Sequence, residues 1–268
     1  MLELAEDEQE YFIEQMKRKA LLDKKPADNP TFTAILGMPG TGKSTIASKL
    51  DNTVIISGDD VMTEYCKTLG IDITEEFMDK EVGIFIGKVN DEIIKEAMLR
   101  DMNIAYDTAS IYRGEEMIEE MQQKGYNVQA KIMLADKYQA VLNTVDRKFD
   151  VDEKYIQYKR GERKNFPKGN TRIGNLIAAP DSFERVVNFI KMANTKNYPI
   201  EVYEFGKDKP SFKSGDDVDR FFENLDLTPS EDQIKRAEKL SDRANALGKE
   251  DDFLGLNYLK NRMKSERQ

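Results

Sequence analysis

The stretch Gly37-Met38-Pro39-Gly40-Thr41-Gly42-Lys43-Ser44 decides how the rest of the chain is understood. It follows a β-prone run, Phe32–Leu36, and opens a helix-prone one, Ser44–Leu50. A G-x-x-x-x-G-K-[ST] pattern between strand and helix is the P-loop, a cradle for a polyphosphate. Its glycines let the backbone aim several N–H groups at phosphate oxygens, at φ values that a side chain would forbid. The helix behind it contributes the positive end of its dipole. Gly37, Met38, Pro39, Gly40, Thr41, Gly42, Lys43, Ser44 and Thr45 are therefore the expected nucleotide-binding residues. Lys43 reaches the β- and γ-phosphates and the Ser44 hydroxyl ligates Mg²⁺. A Rossmann dinucleotide loop is excluded, because G-x-G-x-x-G is not supplied and the loop ends in Lys-Ser.

Around this loop, apolar runs alternate between the two periods of regular structure. Strands are expected at Phe32–Leu36, Thr53–Ile56, Asn103–Asp107, Val128–Leu134 and Ile200–Phe205. Helices are expected at Glu81–Arg100, Glu115–Lys124, Lys137–Phe149 and Ser182–Thr195. Strands alternating with helices predict an α/β fold, a parallel sheet of about five strands covered by helices on both faces. An amphipathic N-terminal helix precedes this domain within 1–30, and the domain itself spans 31–224. Beyond it, within 225–268, Thr228-Pro229-Ser230-Glu231 starts two charged helices, about Ser230–Leu247 and Asp251–Lys264. The narrow apolar stripe of the first, Ile234, Ala237, Leu240, Ala244 and Leu247, is expected to pack on the main body or on another chain.

Composition narrows the chemistry. The 268 residues contain one cysteine, Cys66, and no histidine, so no disulfide, thiolate cluster or histidine base is available within the chain. Any general base is then expected to be a carboxylate or a lysine. The formal net charge of −9 disfavours non-specific nucleic-acid binding. With no long apolar run and an acidic start, the expectation is a cytoplasmic protein without membrane attachment.

Carboxylates gather where the acceptor of a phosphoryl group would enter. Asp59 and Asp60 follow the second strand and Asp107-Thr108 close the third, all on the sheet edge that faces a ligand crevice. Asp59 or Asp60 is expected to align an acceptor hydroxyl, and one of the pair to cap the following helix. Asp107 is a candidate for holding Mg²⁺ through water, and Thr108 for touching substrate; capping suits either as well. From Arg147 to Arg172 nine basic residues stand against four acidic ones, a local +5. This stretch is expected to act as a lid whose arginines close over the triphosphate.

These residues resemble the zeta-toxin family of P-loop kinases. The resemblance runs from about Leu22 to Lys213, through Lys24-Lys25-Pro26, Pro30-Thr31-Phe32, Gly37–Ser44, Ile55–Asp59, Asn103–Thr108, Lys124–Val128, Thr144–Arg147, Glu184–Val187 and Glu201-Val202-Tyr203. It implies ATP-dependent phosphorylation of a hydroxyl on a small molecule, UDP-N-acetylglucosamine being the best-known substrate, and a cognate antitoxin as protein partner. By the same resemblance Lys43 is the P-loop lysine, Ser44 the Mg²⁺ ligand, Asp59 the base, Thr108 the substrate-side threonine and Arg147 the first lid arginine; Asp60, beside the base, is a substrate-binding candidate from its place at the strand end. Arg160, Arg163 or Arg172 supplies the second. Met62 stands where the family often carries a basic residue, and Tyr106 where it commonly carries an acidic one. Asp59-Asp60 and Asp107-Thr108 are also similar to bacteriophage polynucleotide kinases, which makes a nucleic-acid 5′-hydroxyl or base the alternative acceptor. A non-catalytic nucleotide switch, with the terminal helices on a partner, is the third expectation.

Overall fold

The computed structural model describes residues 4–71, 80–167 and 179–267. Helix α1 (Glu6–Leu21) leads into β1 (Thr31–Leu36), and the glycine-rich loop delivers the chain to the short α2 (Lys43–Ala47). Next come β2 (Thr53–Ser57), α3 (Gly58–Leu69), α4 (Lys80–Leu99), β3 (Asn103–Thr108), α5 (Ile111–Gln123), β4 (Asn127–Leu134) and α6 (Lys137–Lys159). The chain then runs through α7 (Ala179–Thr195), β5 (Ile200–Glu204), β6 (Phe212–Lys213), α8 (Val218–Glu223), α9 (Glu231–Ala246) and α10 (Glu250–Arg267).

The strands form one sheet in the order β2-β3-β1-β4-β5-β6. All neighbours are parallel except β6, a two-residue antiparallel edge on β5 that makes the sheet six-stranded rather than about five. Alternate residues face opposite sides. Phe32, Ala34, Leu36, Val54, Ile56, Ile104, Ile132 and Val202 point into the main core, where α4, α5, α6 and α7 also place apolar side chains. Ile35 and Ala105 face the other side with Ala47 of α2, and Met133 and Tyr203 meet Ile46 there. Register fixes the functional edge: Leu36 lies opposite Thr108, Ile35 opposite Asp107, and Ser57 opposite Asp107 from the far side. The loop after β1 therefore emerges beside the end of β3, about 5 Å from its neighbour strand.

Several boundaries differ from the sequence expectations. Helix α6 continues ten residues past Phe149, because Val151 and Tyr155 keep the helical stripe buried. The expected lid thus begins inside a helix, and its Lys148 is not a lid cation: it is buried against Asp252 at 2.9 Å. Neither Asp59 nor Asp60 caps α3, since the Ser57 hydroxyl accepts the Asp60 N–H instead. Capped by Ser110, α5 begins at Ile111, four residues before the expected start.

The terminal helices are integral to the core. In α1, Phe12 packs against Tyr65 and Phe85 with ring centroids 6.2 and 5.7 Å apart. Helices α9 and α10 form an antiparallel hairpin, with Lys264 pairing with Glu238 and Arg267 with Glu231. The α9 stripe packs on the main body: Ile234, Ala237, Leu240 and Ala244 are buried in the same cluster as Val145 and Phe149.

Candidate active site

The loop owes its shape to two close approaches. A Cβ on Gly37 would lie 2.5 Å from the Met133 carbonyl oxygen, and one on Gly40 only 2.2 Å from that of Ala140. With φ of +148° and +79°, both positions also lie outside what a side chain readily adopts. Gly42, at φ +89°, turns the chain into α2, so Lys43 and Ser44 begin the helix and its first N–H groups open toward the loop. The Met38 carbonyl holds the interior, accepting from the Thr41 hydroxyl at 2.8 Å and the Lys43 ammonium at 3.2 Å.

Lys43 sits amid convergent charge. Its Nζ is 3.9 Å from an Asp107 carboxylate oxygen. Burial drives its pKa below the usual lysine value, against the attraction of the Asp107 and Asp59 carboxylates, while Arg147 drives it lower still. Asp107 is displaced oppositely: burial raises its pKa and the Asp59 and Asp60 carboxylates raise it further, against Lys43 and Arg147. The Arg147 Nε is buried without a hydrogen-bond partner, a donor whose acceptor a phosphate oxygen would supply. Two cations and three carboxylates from β3, α2, α3 and α6 thus act on one another electrostatically beside the loop.

The expected residues fall into two groups. Lys43, Asp59, Asp60, Asp107 and Arg147 act on one another electrostatically. Thr108 lies one residue beyond Asp107, its hydroxyl accepting the Ser110 N–H at 3.0 Å and keeping its own proton to donate. Asp59 is exposed on the first turn of α3, where Thr63 anchors its carbonyl at 2.8 Å. Arg160 and Arg163 are not brought into this cluster. Arg160 is the exposed C-cap of α6, thirteen residues and about 20 Å along the helix from Arg147. Arg163 donates to the Asn165 carbonyl at 2.9 Å. Arg172 lies outside the described residues.

Sequence reasoning missed Asn143, whose Nδ2 donates to the Gly40 carbonyl at 2.8 Å from across α6. No local signal marks it, since it is one polar residue on a mostly polar helix. It also missed Asn90, buried on α4 beside Gly58. There a signal existed: an amide interrupts the apolar stripe of Ile86, Val89, Ile93 and Ile94.

The zeta toxin family model matches residues 17–168, more than half of the chain. Among solved structures the chain is similar to one from the PezAT chromosomal toxin–antitoxin system of Streptococcus pneumoniae, at TM-score 0.63 and 17% identity. That match covers 91% of this chain and 97% of the other. It is also similar to a chain of the AvrRxo1-ORF1:AvrRxo1-ORF2 complex with sulphate ions, at TM-score 0.57 and 14% identity, covering 97% and 88%. The complex with ATP matches at TM-score 0.56, with the same identity and coverage. The search of curated proteins gives no match. At these identities the structural likeness speaks to the fold.

Proposed function

The chain belongs to the zeta toxin family, and from that premise we propose that it is an ATP- and Mg²⁺-dependent kinase that phosphorylates a hydroxyl of a small molecule. The observation that carries this reading is the convergence of Lys43, Arg147, Asp59 and Asp107 on the mouth of the glycine loop. The loop N–H groups and Lys43 hold the triphosphate, and Lys43 exchanges the Met38 carbonyl for phosphate oxygens. Arg147 balances charge on the transferred group from the α6 side. Asp59, exposed at the edge, accepts the proton of the incoming hydroxyl and keeps it in line. Asp60 and Thr108 border the acceptor.

The residues present fit Mg²⁺. Ser44 and Asp107 offer hydroxyl and carboxylate oxygens, the donors that this ion takes alongside water and phosphate. Burial first, and then the Asp59 and Asp60 carboxylates, raise the Asp107 pKa, and a dication bound there would favour its charged form. When bound, the ion neutralises charge on the β- and γ-phosphate oxygens. A UDP-sugar such as UDP-N-acetylglucosamine is the acceptor favoured by family membership, and a structural neighbour that holds ATP supports the nucleotide. A structural neighbour from a toxin–antitoxin system supports a protein antitoxin as partner. No described helix is long and apolar enough to cross a membrane.

The test is incubation of the protein with γ-labelled ATP and either UDP-N-acetylglucosamine or a cell metabolite extract. Label should pass to a small molecule with wild type and not with Lys43→Ala. Transfer to neither acceptor mixture, by a protein that binds ATP, would overturn the kinase assignment in favour of a nucleotide switch. Transfer to oligonucleotide 5′ ends alone would move the acceptor to nucleic acid.

A further inference from the structure

Asn143 is one link in a hydrogen-bonded chain that ends on the C-terminal hairpin. Its Nδ2 donates to the Gly40 carbonyl at 2.8 Å. Its Oδ1 accepts from Gln139 Nε2 and from Arg236 Nη1, both at 2.7 Å. Arg236, on α9, also donates through Nη2 to Asp146 at 2.8 Å, and Arg243 reaches the other oxygen of Asp146 at 3.1 Å. The next residue, Arg147, acts electrostatically on Lys43 of the loop. Near the start of α6, Gln233 of α9 donates to Asp136 at 2.8 Å, the residue that caps α6 through the Tyr138 and Gln139 N–H groups.

We infer that Arg236 is a positioning residue for the phosphate cradle, acting through Asn143 on the Gly40 peptide. The inference rests on the P-loop nucleotide reading above. A guanidinium is donor-only, so it fixes which end of the Asn143 amide faces it: Oδ1 must meet Arg236, and Nδ2 must meet the Gly40 carbonyl. That carbonyl belongs to a planar trans peptide, so anchoring it toward α6 turns the Thr41 N–H the opposite way, into the loop. There the N–H lies 3.4 Å from the Met38 carbonyl, a long contact that a phosphate oxygen replaces. Gly40 cannot move closer to α6, because α6 is already where its Cβ would be. The C-terminal hairpin is thereby a brace for the nucleotide site rather than an appendage.

The test measures ATP·Mg²⁺ affinity by titration calorimetry on the full chain, with thermal unfolding of each variant. Asn143→Asp retains the pairing with Arg236 but sets a carboxylate oxygen against the Gly40 carbonyl, so affinity should fall without loss of thermal stability. Arg236→Ala should weaken binding roughly three- to thirtyfold, and Arg236→Lys, which keeps a donor, should recover part of it. Arg243→Ala removes contacts to Asp146, Asp150 and Glu153 but none to Asn143. It should lower the unfolding temperature while leaving affinity near wild type. Arg236→Ala and Asn143→Ala should be non-additive. Equal loss of affinity in Arg243→Ala and Arg236→Ala, or unchanged affinity in Asn143→Asp, would overturn the inference. Absence of ATP binding by wild type would instead remove the nucleotide reading on which it rests.

Discussion

Lys43 stands 3.9 Å from Asp107 beneath the glycine loop, whereas Lys148 stands 2.9 Å from Asp252 between α6 and α10. The two pairs have the same composition and opposite purposes. Lys148 is 3% exposed and Asp252 11%, in contact, and their charges cancel across a packed interface. Lys43 and Asp107 are 11% and 17% exposed, too far apart for a hydrogen bond, and each has a like charge nearby. Burying charge costs free energy that only a close, well-bonded partner offsets. The α6–α10 pair meets that condition within the fold. The pair at the loop does not, and under the proposed function a polyanion with its cation would supply the compensation.

The largest expected effect falls on the loop pair. Lys43→Ala should lower phosphoryl transfer by about a thousandfold or more, while the unfolding temperature of the ligand-free protein stays level or rises. A drop in that temperature as large as the one from Asp252→Ala would erase the distinction between the pairs. Asp252→Ala takes the carboxylate at 2.9 Å from the buried Lys148 ammonium and leaves Asp152 as a neighbouring counter-charge; it should cost up to about 3–5 kcal/mol, read by calorimetry as at most roughly 6–20 °C. The double variant Lys148→Met/Asp252→Leu should recover most of that loss, since an apolar pair of similar size carries no stranded charge.

A smaller effect sharpens the contrast through pH. Asp107 has a raised folded-state pKa, so its protonated form is the one that favours folding. That contribution is full below the ordinary aspartate range and is lost as pH climbs through the raised value. Thermal unfolding of wild type and Asp107→Asn without nucleotide should therefore coincide in acid, with the variant becoming the more stable as pH rises. Added ATP·Mg²⁺ should reverse the order at neutral pH, because only wild type retains the carboxylate. A variant that becomes the less stable of the two as pH rises would instead place Asp107 in a satisfied pair like that of Asp252.

Much of this arrangement was legible in the chain. Gly37, Gly40 and Gly42 announced their backbone geometry, because all three take positive φ and a side chain at the first two would also strike neighbouring carbonyls. Asp59 and Asp107 were legible as candidates because strand ends in a parallel sheet face one edge, and Arg147 through the basic run it opens and the family resemblance. The end of α6 was misjudged because the charges between Arg147 and Lys159 masked its buried side, Val151 and Tyr155. The start of α3 was misjudged because serine and aspartate are both good caps and sequence does not rank them; Ser57 took the role. Arg160 and Arg163 are equivalent to Arg147 in charge, yet Arg160 caps the far end of α6 and Arg163 lies in the irregular segment beyond it.

By itself the order of residues determined the phosphate cradle, the parallel sheet and the carboxylates at its edge, since these follow from short-range rules on φ, side-chain period and strand direction. Only the folded molecule decided that α9 would lie on α6, that Arg236 would reach Asn143 across 93 positions, and that Lys148 would vanish into a pair while Lys43 stayed poised. The reason is physical: a contact between distant segments depends on how whole helices pack, and helix packing is set by the summed burial of many side chains rather than by any one stretch of chain.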